Sequence, residues 1–210
     1  MGHIDKIFHK VNHKPIIFWT ISKFINHPKI DSITVTVEKS KIIKLNKLIE
    51  KWCFSEKIRV IAGGSSRQSS VAIALVEVNK FANKSDTVLV HDGARPLISS
   101  AEINAIINSI SSKNVSILAV PINDTIKKSR NLHVSETVER NNLWLAQTPQ
   151  GATLRNLNIA MEFVQKNDSD YPDESSIFEA MNFPIIITPG DPTNIKITTS
   201  KDLKFIEKNL

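Results

Sequence analysis

Hydrophobic positions along the chain switch repeatedly between two spacings. Ile16, Ile17, Trp19, Thr20 and Phe24 recur at helical intervals and predict a helix from Lys14 to His27, with Pro15 in its first turn. Ser32-Ile33-Thr34-Val35-Thr36-Val37 is β-branched and predicts a strand. Lys39 to Trp52 returns to helical spacing through Ile42, Ile43, Leu45 and Leu48. A short strand over Ile58 to Ile61 then runs into Gly63-Gly64. Ser66 to Phe81 reads as a helix and Thr87-Val88-Leu89-Val90 as a buried strand. Ser99-x-x-Glu102 is a capping box opening a helix over Ala101 to Ser111, and Val115 to Val120 is a further strand. Such βαβα alternation predicts an α/β fold with a mainly parallel sheet and helices on both faces.

After Pro121 the pattern changes. Residues 122–142 are polar with short alternating stretches, which predicts a projecting hairpin or arm. A helix over Thr153 to Gln165, a strand over Pro184 to Thr188, a short strand over Ile195 to Thr198 and a helix from Lys201 complete the reading. With 210 residues, 41% apolar and 23% charged, the chain suits one domain, 1–210, with a core that needs no disulfide.

Cys53 is the single cysteine, which excludes an intramolecular disulfide and a Cys-cluster zinc site. It points to a reducing compartment, and the residue is expected to be a small buried hydrophobe. The net charge of +6 arises in a chain with 21 Lys, 6 Arg and 30 Ile, the signature of AT-rich codons, so no nucleic-acid partner is inferred from it. No window of 18 apolar residues occurs, so no membrane-spanning helix is expected. Met1-Gly2-His3-Ile4-Asp5-Lys6 lacks the apolar core of a signal peptide, and Lys6 stands where a myristoylation motif needs Ser or Thr. The expected location is the cytoplasm.

In open α/β sheets, ligands bind beyond the carboxyl ends of the strands. Two segments there stand out. Gly63-Gly64-Ser65-Ser66-Arg67 allows close backbone approach ahead of a helix N-terminus, which favours anions; a plain strand-to-helix turn fits equally. His91-Asp92-Gly93-Ala94-Arg95-Pro96 puts a carboxylate just past a buried strand. It could hold Mg²⁺ on a phosphate, accept from a ribose hydroxyl, or form a structural salt bridge in an Asp-Gly turn. His91 alone reads as structural. Thr148 is a hydroxyl ligand or a cap, Asp173-Glu174 a helix start, and Lys196 by default a surface lysine on a short strand. Arg67, Arg95 and Arg140, three of the six arginines, fall in these segments, and Lys cannot replace their bidentate geometry toward phosphate.

Taken together and in order, Gly63-Gly64-x-x-Arg67-x-x-Ser70-Val71, Val90-His91-Asp92-Gly93-Ala94-Arg95-Pro96, Asp124-Thr125-x-Lys127, Arg140-Asn141-x-Leu143-Trp144-x-x-Gln147-Thr148-Pro149-Gln150, Asp173-Glu174 and Asn194-Ile195-Lys196-Ile197-Thr198 resemble the 2-C-methyl-D-erythritol 4-phosphate cytidylyltransferases along essentially the whole chain. The resemblance implies a Rossmann-like three-layer nucleotidyltransferase fold with a projecting β-arm. It implies transfer of CMP from CTP to a polyol phosphate in the non-mevalonate route to isoprenoids. By the same resemblance Lys6 and Lys196 would stabilise charge at the α-phosphate, and Asp92 would sit near Mg²⁺ and the acceptor hydroxyls. Gly63, Gly64, Ser65, Ser70 and Gly93 would line the nucleotide pocket, supported by Arg67 and Arg95. Thr125, Arg140 and Thr148 would hold the acceptor, and the arm would swap across a homodimer.

Two departures from the family pattern matter. The family opens with a strand and a Gly-rich loop that wraps the triphosphate, and this sequence starts within the counterpart of that loop. Without that strand, apolar surface and strand edges should be left uncovered. A start-site error would account for it, while a non-catalytic paralogue is the alternative; a cytidylyltransferase for ribitol 5-phosphate is another. Pro172 stands where the family often has an acceptor-binding Thr.

Overall fold

A computed structural model describes residues 6–210. The reading of Met1 to Asp5 lies outside the described residues. A 3-10 turn at Lys6–Phe8 and a two-residue hairpin, β1 (Lys10–Val11) with β2 (Lys14–Pro15), lead into α1 (Ile16–Ile25). There follow β3 (Ile33–Val37), α2 (Ile42–Lys51), β4 (Ile58–Ala62), α3 (Arg67–Val78), β5 (Thr87–Val90), α4 (Ser100–Ser109) and β6 (Val115–Pro121). The arm is β7 (Ile126–Arg130) paired antiparallel with β8 (His133–Val138). Then come β9 (Trp144–Thr153), α5 (Leu154–Asn167), α6 (Glu174–Ala180), β10 (Ile185–Pro189) and α7 (Ser200–Asn209).

The expected helices and strands form where the local signals are strongest. Ser99 caps α4 by accepting from the Glu102 N–H, while the Glu102 carboxylate accepts from the Ser99 N–H, the full capping box. Helices cover both faces of the strands. Leu75 of α3, Leu157 and Met161 of α5 and Phe178 of α6 pack with Val115 in one cluster. Phe24 of α1 and Ile103 and Ile106 of α4 pack with Leu118 in another. Val115 and Leu118 on β6 thus serve opposite layers, as the alternation of a strand requires. Leu118→Ala would cost about 2–5 kcal/mol, because its site is fully enclosed.

The sheet is mixed. β10 runs parallel to β6, β9 runs antiparallel between β6 and β5, and β3 runs parallel to β4. β9 was not announced by sequence. Its inner half is Ala146-Gln147-Thr148-Pro149-Gln150-Gly151-Ala152, poor in β-formers and interrupted by Pro and Gly. Tertiary pairing with both neighbours makes it a strand. Between the pairs Ile117–Gln150 and Ala119–Ala146, β6 advances two residues while β9 advances four, so β9 bulges at Gln147-Thr148-Pro149.

β3 and β5 belong to separate sheets and line the same cavity of about 920 Å³. α1 contributes Ile17, Ile21 and Phe24 to its wall, and α3 contributes Val71, Ala74 and Val78. Each of β3 and β5 has one edge paired, and among the described residues no strand pairs with the other.

Three expectations fail. β5 is not buried: Thr87 is exposed and Val88, Leu89 and Val90 are half-buried, because the strand has one unpaired edge and lines the cavity. Ile195 to Thr198 is not a strand: these residues form no ladder, and Ile197 donates to the Ala94 carbonyl while Ile195 turns back to Thr193. Cys53 is exposed rather than buried, because it sits at φ 59° in the left-handed turn that ends α2 and so projects away from the core.

Candidate active site

The site is assembled from three chain segments around the end of β5. The first is the turn after Val90, closed by the Arg95 N–H donating to the Asp92 carbonyl (3.0 Å). Asp92, held by this turn, is among the residues that line the cavity. Its Oδ2 lies 3.1 Å from Lys196 Nζ and 3.4 Å from Arg95 Nε, and its Oδ1 lies 3.6 Å from Arg67 Nε. Burial pushes the Asp92 pKa up, but the charges of Lys196, Arg67 and Arg95 outweigh it, and the carboxyl is held below its usual range. One carboxylate therefore collects three cations drawn from positions 67, 95 and 196.

The second segment is the loop 190–196, which delivers Lys196. It has little regular structure and is fixed from several sides. Gly190 donates to the Ala119 carbonyl (2.8 Å) and the Asp191 N–H to Glu102 Oε1 (2.9 Å). The Gln147 amide donates to the Asp191 carbonyl (2.9 Å) and the Asn194 amide to the Thr148 carbonyl (3.0 Å). Arg95 Nη1 donates to the Asn194 carbonyl (2.7 Å). Arg95 thus joins the Asp92 turn to the Lys196 loop. Burial lowers its pKa more than Asp92 raises it.

The third is the entry to α3. Ser66 caps the helix, accepting from the Ser69 N–H. Ser70 Oγ accepts from the Gly64 N–H (3.0 Å) and donates to the Ser66 carbonyl (2.8 Å). A Cβ on Gly63 would stand 2.8 Å from Ser70 Oγ, and one on Gly64 2.7 Å from Ser69 Cβ. Both glycines are thus required by this tight turn itself. Gly64 and Ser65 remain exposed on it. A Cβ on Gly93, in the Asp92 turn, would meet Ile17 Cδ1 at 3.2 Å.

Arg67 opens α3. Its Nη1 and Nη2 both donate to Glu174, each at 2.7 Å, and Glu174 is buried at the start of α6. Burial lowers the Arg67 pKa, but its bonds to Glu174 and the charge of Asp92 reverse this and raise it. Asp173 caps α6 by accepting from the Ser176 N–H (2.9 Å), and it accepts from the Gln150 amide (2.8 Å). Asp173-Glu174 is thus a helix start, as its sequence indicated, and Glu174 also belongs to the charged cluster.

Thr148 does not cap a helix. It lies on the β9 bulge, where its hydroxyl accepts from the Asp92 N–H (3.0 Å) and meets His91 Nδ1 at 3.1 Å. His91 is held near a pKa of about 4 by burial. The remaining expected residues stand apart from this cluster. Lys6 is exposed on its 3-10 turn, beside Ile7, which borders the cavity near Gly93. Thr125 and Arg140 are exposed at the base of the arm, where Arg140 donates to the Asn123 carbonyl. Among the described residues no hydrogen bond or ion pair joins them to Asp92. Glu102, Gln147, Asn194 and Glu174 join the site although their sequence positions alone do not mark them for it. Gln147, Asn194 and Glu174 lie inside the family-like segments, but nothing in a motif shows which partner a side chain meets.

Among the described residues no three His, Cys, Asp or Glu side chains group to hold a metal ion. Asp92 can give one carboxylate, which suits a Mg²⁺ whose other ligands are substrate phosphates and water. No helix among the described residues is long and apolar enough to cross a membrane.

The family model for IspD, 2-C-methyl-D-erythritol 4-phosphate cytidylyltransferase, matches residues 2–210. The enzyme of that name from Bacillus licheniformis is 34% identical over 203 residues, covering 97% of this chain and 86% of its own. A bifunctional IspD/IspF enzyme of Desulfotalea psychrophila is 37% identical over 205 residues. That match covers 98% of this chain and 52% of that enzyme, so this chain spans about half its length. The crystal structure of the Francisella tularensis 2-C-methyl-D-erythritol 4-phosphate cytidylyltransferase superposes with a TM-score of 0.84 at 34% identity, covering 100% of this chain and 94% of that one. On these matches, the chain belongs to the 2-C-methyl-D-erythritol 4-phosphate cytidylyltransferase family.

Proposed function

We propose that this protein transfers CMP from CTP to 2-C-methyl-D-erythritol 4-phosphate and releases pyrophosphate, in the non-mevalonate supply of isoprenoid precursors. The observation that carries the reading is the Asp92 cluster. Lys196, Arg95 and Arg67 converge on one carboxylate beyond the end of β5, in a chain of this family. A phosphate oxygen of the acceptor attacks the α-phosphorus of CTP; that bond forms as the bond to the bridging oxygen of pyrophosphate breaks. The nucleophile is already anionic, so the protein has to position the reactants and offset charge rather than remove a proton.

Lys196 is the residue suited to meet the transferring phosphate, because its side chain is about half exposed while Arg95 is nearly enclosed. Asp92 is the residue to hold Mg²⁺, which would neutralise charge on the triphosphate when bound. Gly63, Gly64, Ser65 and Gly93 provide the backbone against which the nucleotide lies. Thr125 and Arg140 take the acceptor phosphate, with Lys6, the neighbour of the cavity-lining Ile7, on the triphosphate side. The arm exposes Leu132 and Val134, and on this reading it packs against a second copy in a homodimer. The location consistent with the reading is the cytoplasm.

The test is release of pyrophosphate by the purified chain with CTP and Mg²⁺, using 2-C-methyl-D-erythritol 4-phosphate or ribitol 5-phosphate as acceptor. Turnover with the erythritol phosphate supports the proposal, and preference for the ribitol phosphate replaces its substrate. Metal-dependent CTP binding without transfer to either acceptor overturns the catalytic reading.

A further inference from the structure

The pairing of Arg67 with Glu174 bears on how the Asp92 cluster is built. Arg67 has three nitrogens to offer. Glu174 takes the two terminal ones, each at 2.7 Å, so the fork is committed and Nε is left facing Asp92 at 3.6 Å. Glu174 is 3% exposed and directs both carboxylate oxygens to this one partner. A planar bidentate pair fixes the orientation of the guanidinium, not merely its position. The two residues begin α3 and α6 respectively, and α6 is in turn tied to β9. Gln150 donates to Asp173 at 2.8 Å and accepts from the Ser175 N–H at 2.9 Å, two residues beyond Thr148. The turn at Gly63-Gly64, the β9 bulge and Asp92 are thus referenced to one another through the first turn of α6.

We propose that Glu174 is a positioning residue for the transfer reaction, acting through Arg67. It holds the guanidinium with Nε toward Asp92, and it keeps the fork from turning to the phosphates of the nucleotide. Asp92 then keeps a fixed place while Lys196 is drawn to the substrate. This inference rests on the cytidylyltransferase reading for its kinetic consequence, but its structural content does not.

Two experiments on the full chain test it. The first is a double-mutant cycle on CMP transfer with Arg67→Lys and Glu174→Gln, the first keeping the charge without the fork and the second keeping the shape without the charge. Glu174→Gln should lower kcat about tenfold, the scale of losing an orienting partner, with the acceptor KM nearly unchanged. In the Arg67→Lys background the same change should matter less than about twofold, because its route is already cut. Equal losses in both backgrounds would overturn the proposal and make Glu174 a support of the fold. The second experiment needs no turnover and covers failure of the enzymatic reading. The guanidinium resonances of Arg67 should show restricted rotation in the parent protein and averaging in Glu174→Gln. Free rotation in the parent would overturn the clamp, and should Glu174→Gln fail to fold, that same parent measurement decides.

Discussion

Thr148 Oγ1 stands 3.1 Å from His91 Nδ1, and this contact fixes the direction of a chain of hydrogen bonds through the site. The other ring nitrogen, Nε2, lies 3.1 Å from the Arg95 carbonyl, which can only accept. Nε2 therefore carries the proton, Nδ1 accepts, and the Thr148 hydroxyl donates to it while accepting from the Asp92 N–H. Both ends of the Asp92 turn are thereby anchored to β9. The single proton of the Thr148 hydroxyl is used inside the protein, so its contribution to acceptor binding would come as a bond it accepts, or through the turn it holds.

Thr148→Val keeps the shape and removes both bonds. It leaves a partly buried ring nitrogen and a backbone N–H unpaired, and should destabilise the fold by about 1–3 kcal/mol. Thr148→Ser should retain most of the stability. Equilibrium denaturation of the two variants against the parent checks this, and equal stability of the Val variant would show that the bonds contribute nothing.

Neutral His91 also predicts a pH dependence. Its pKa falls from 6.5 to about 4 on folding, so the unfolded chain binds the proton more readily. Stability should therefore be complete above pH 6.5 and decline as pH falls toward about 4, with the total loss on the order of 3 kcal/mol. His91→Gln should flatten that part of the curve. Thermal midpoints measured from pH 7 to 4.5 would show it, and an unchanged slope in the variant would assign the effect to other groups.

Lys196 makes the closest of the three ion pairs to Asp92, at 3.1 Å, and both residues should matter for chemistry. Lys196→Ala and Asp92→Ala are each expected to lower turnover at least about 100-fold, the scale of one positioned electrostatic group. Lys196 is half exposed, so its removal should change stability little. Steady-state kinetics alongside denaturation curves separates the two effects; near-normal rates would remove both residues from the reaction.

Arg140 stands at the base of the arm, away from Asp92. Arg140→Ala is expected to raise the KM for the polyol phosphate more than that for CTP. The reverse pattern would move Arg140 to the nucleotide side.

The cavity between β3 and β5 has a dynamic consequence. Amides on the unpaired edges of these strands lack the ladder bonds that protect β6 and β9. Hydrogen exchange should therefore be faster in 33–37 and 87–90 than in 115–121 and 150–153. Uniform protection across all four strands would show that the two edges are covered in solution.

Sequence by itself determined the local elements and the inventory of charged groups. Ser99 with Glu102 announced α4, the β-branched run announced β3, and the apolar run Thr87–Val90 matched the bounds of β5 residue for residue, though not the burial expected of it, because caps, branching and spacing act within a few residues of chain. The order of the quoted motifs was enough to indicate the family. Tertiary structure decided what those groups do to each other. β9 became a strand because β5 and β6 pair with it on either side, a non-local cause that its own residues do not encode. Lys196, read as a surface lysine on a strand, sits in an irregular loop and faces Asp92, because Glu102, Gln147, Thr148 and Arg95 all bind that loop. Arg67 and Glu174, 107 positions apart, meet only once α3 and α6 pack on the same face. Distance along the chain carries no information about such pairs, and the electrostatics of the site depend on them.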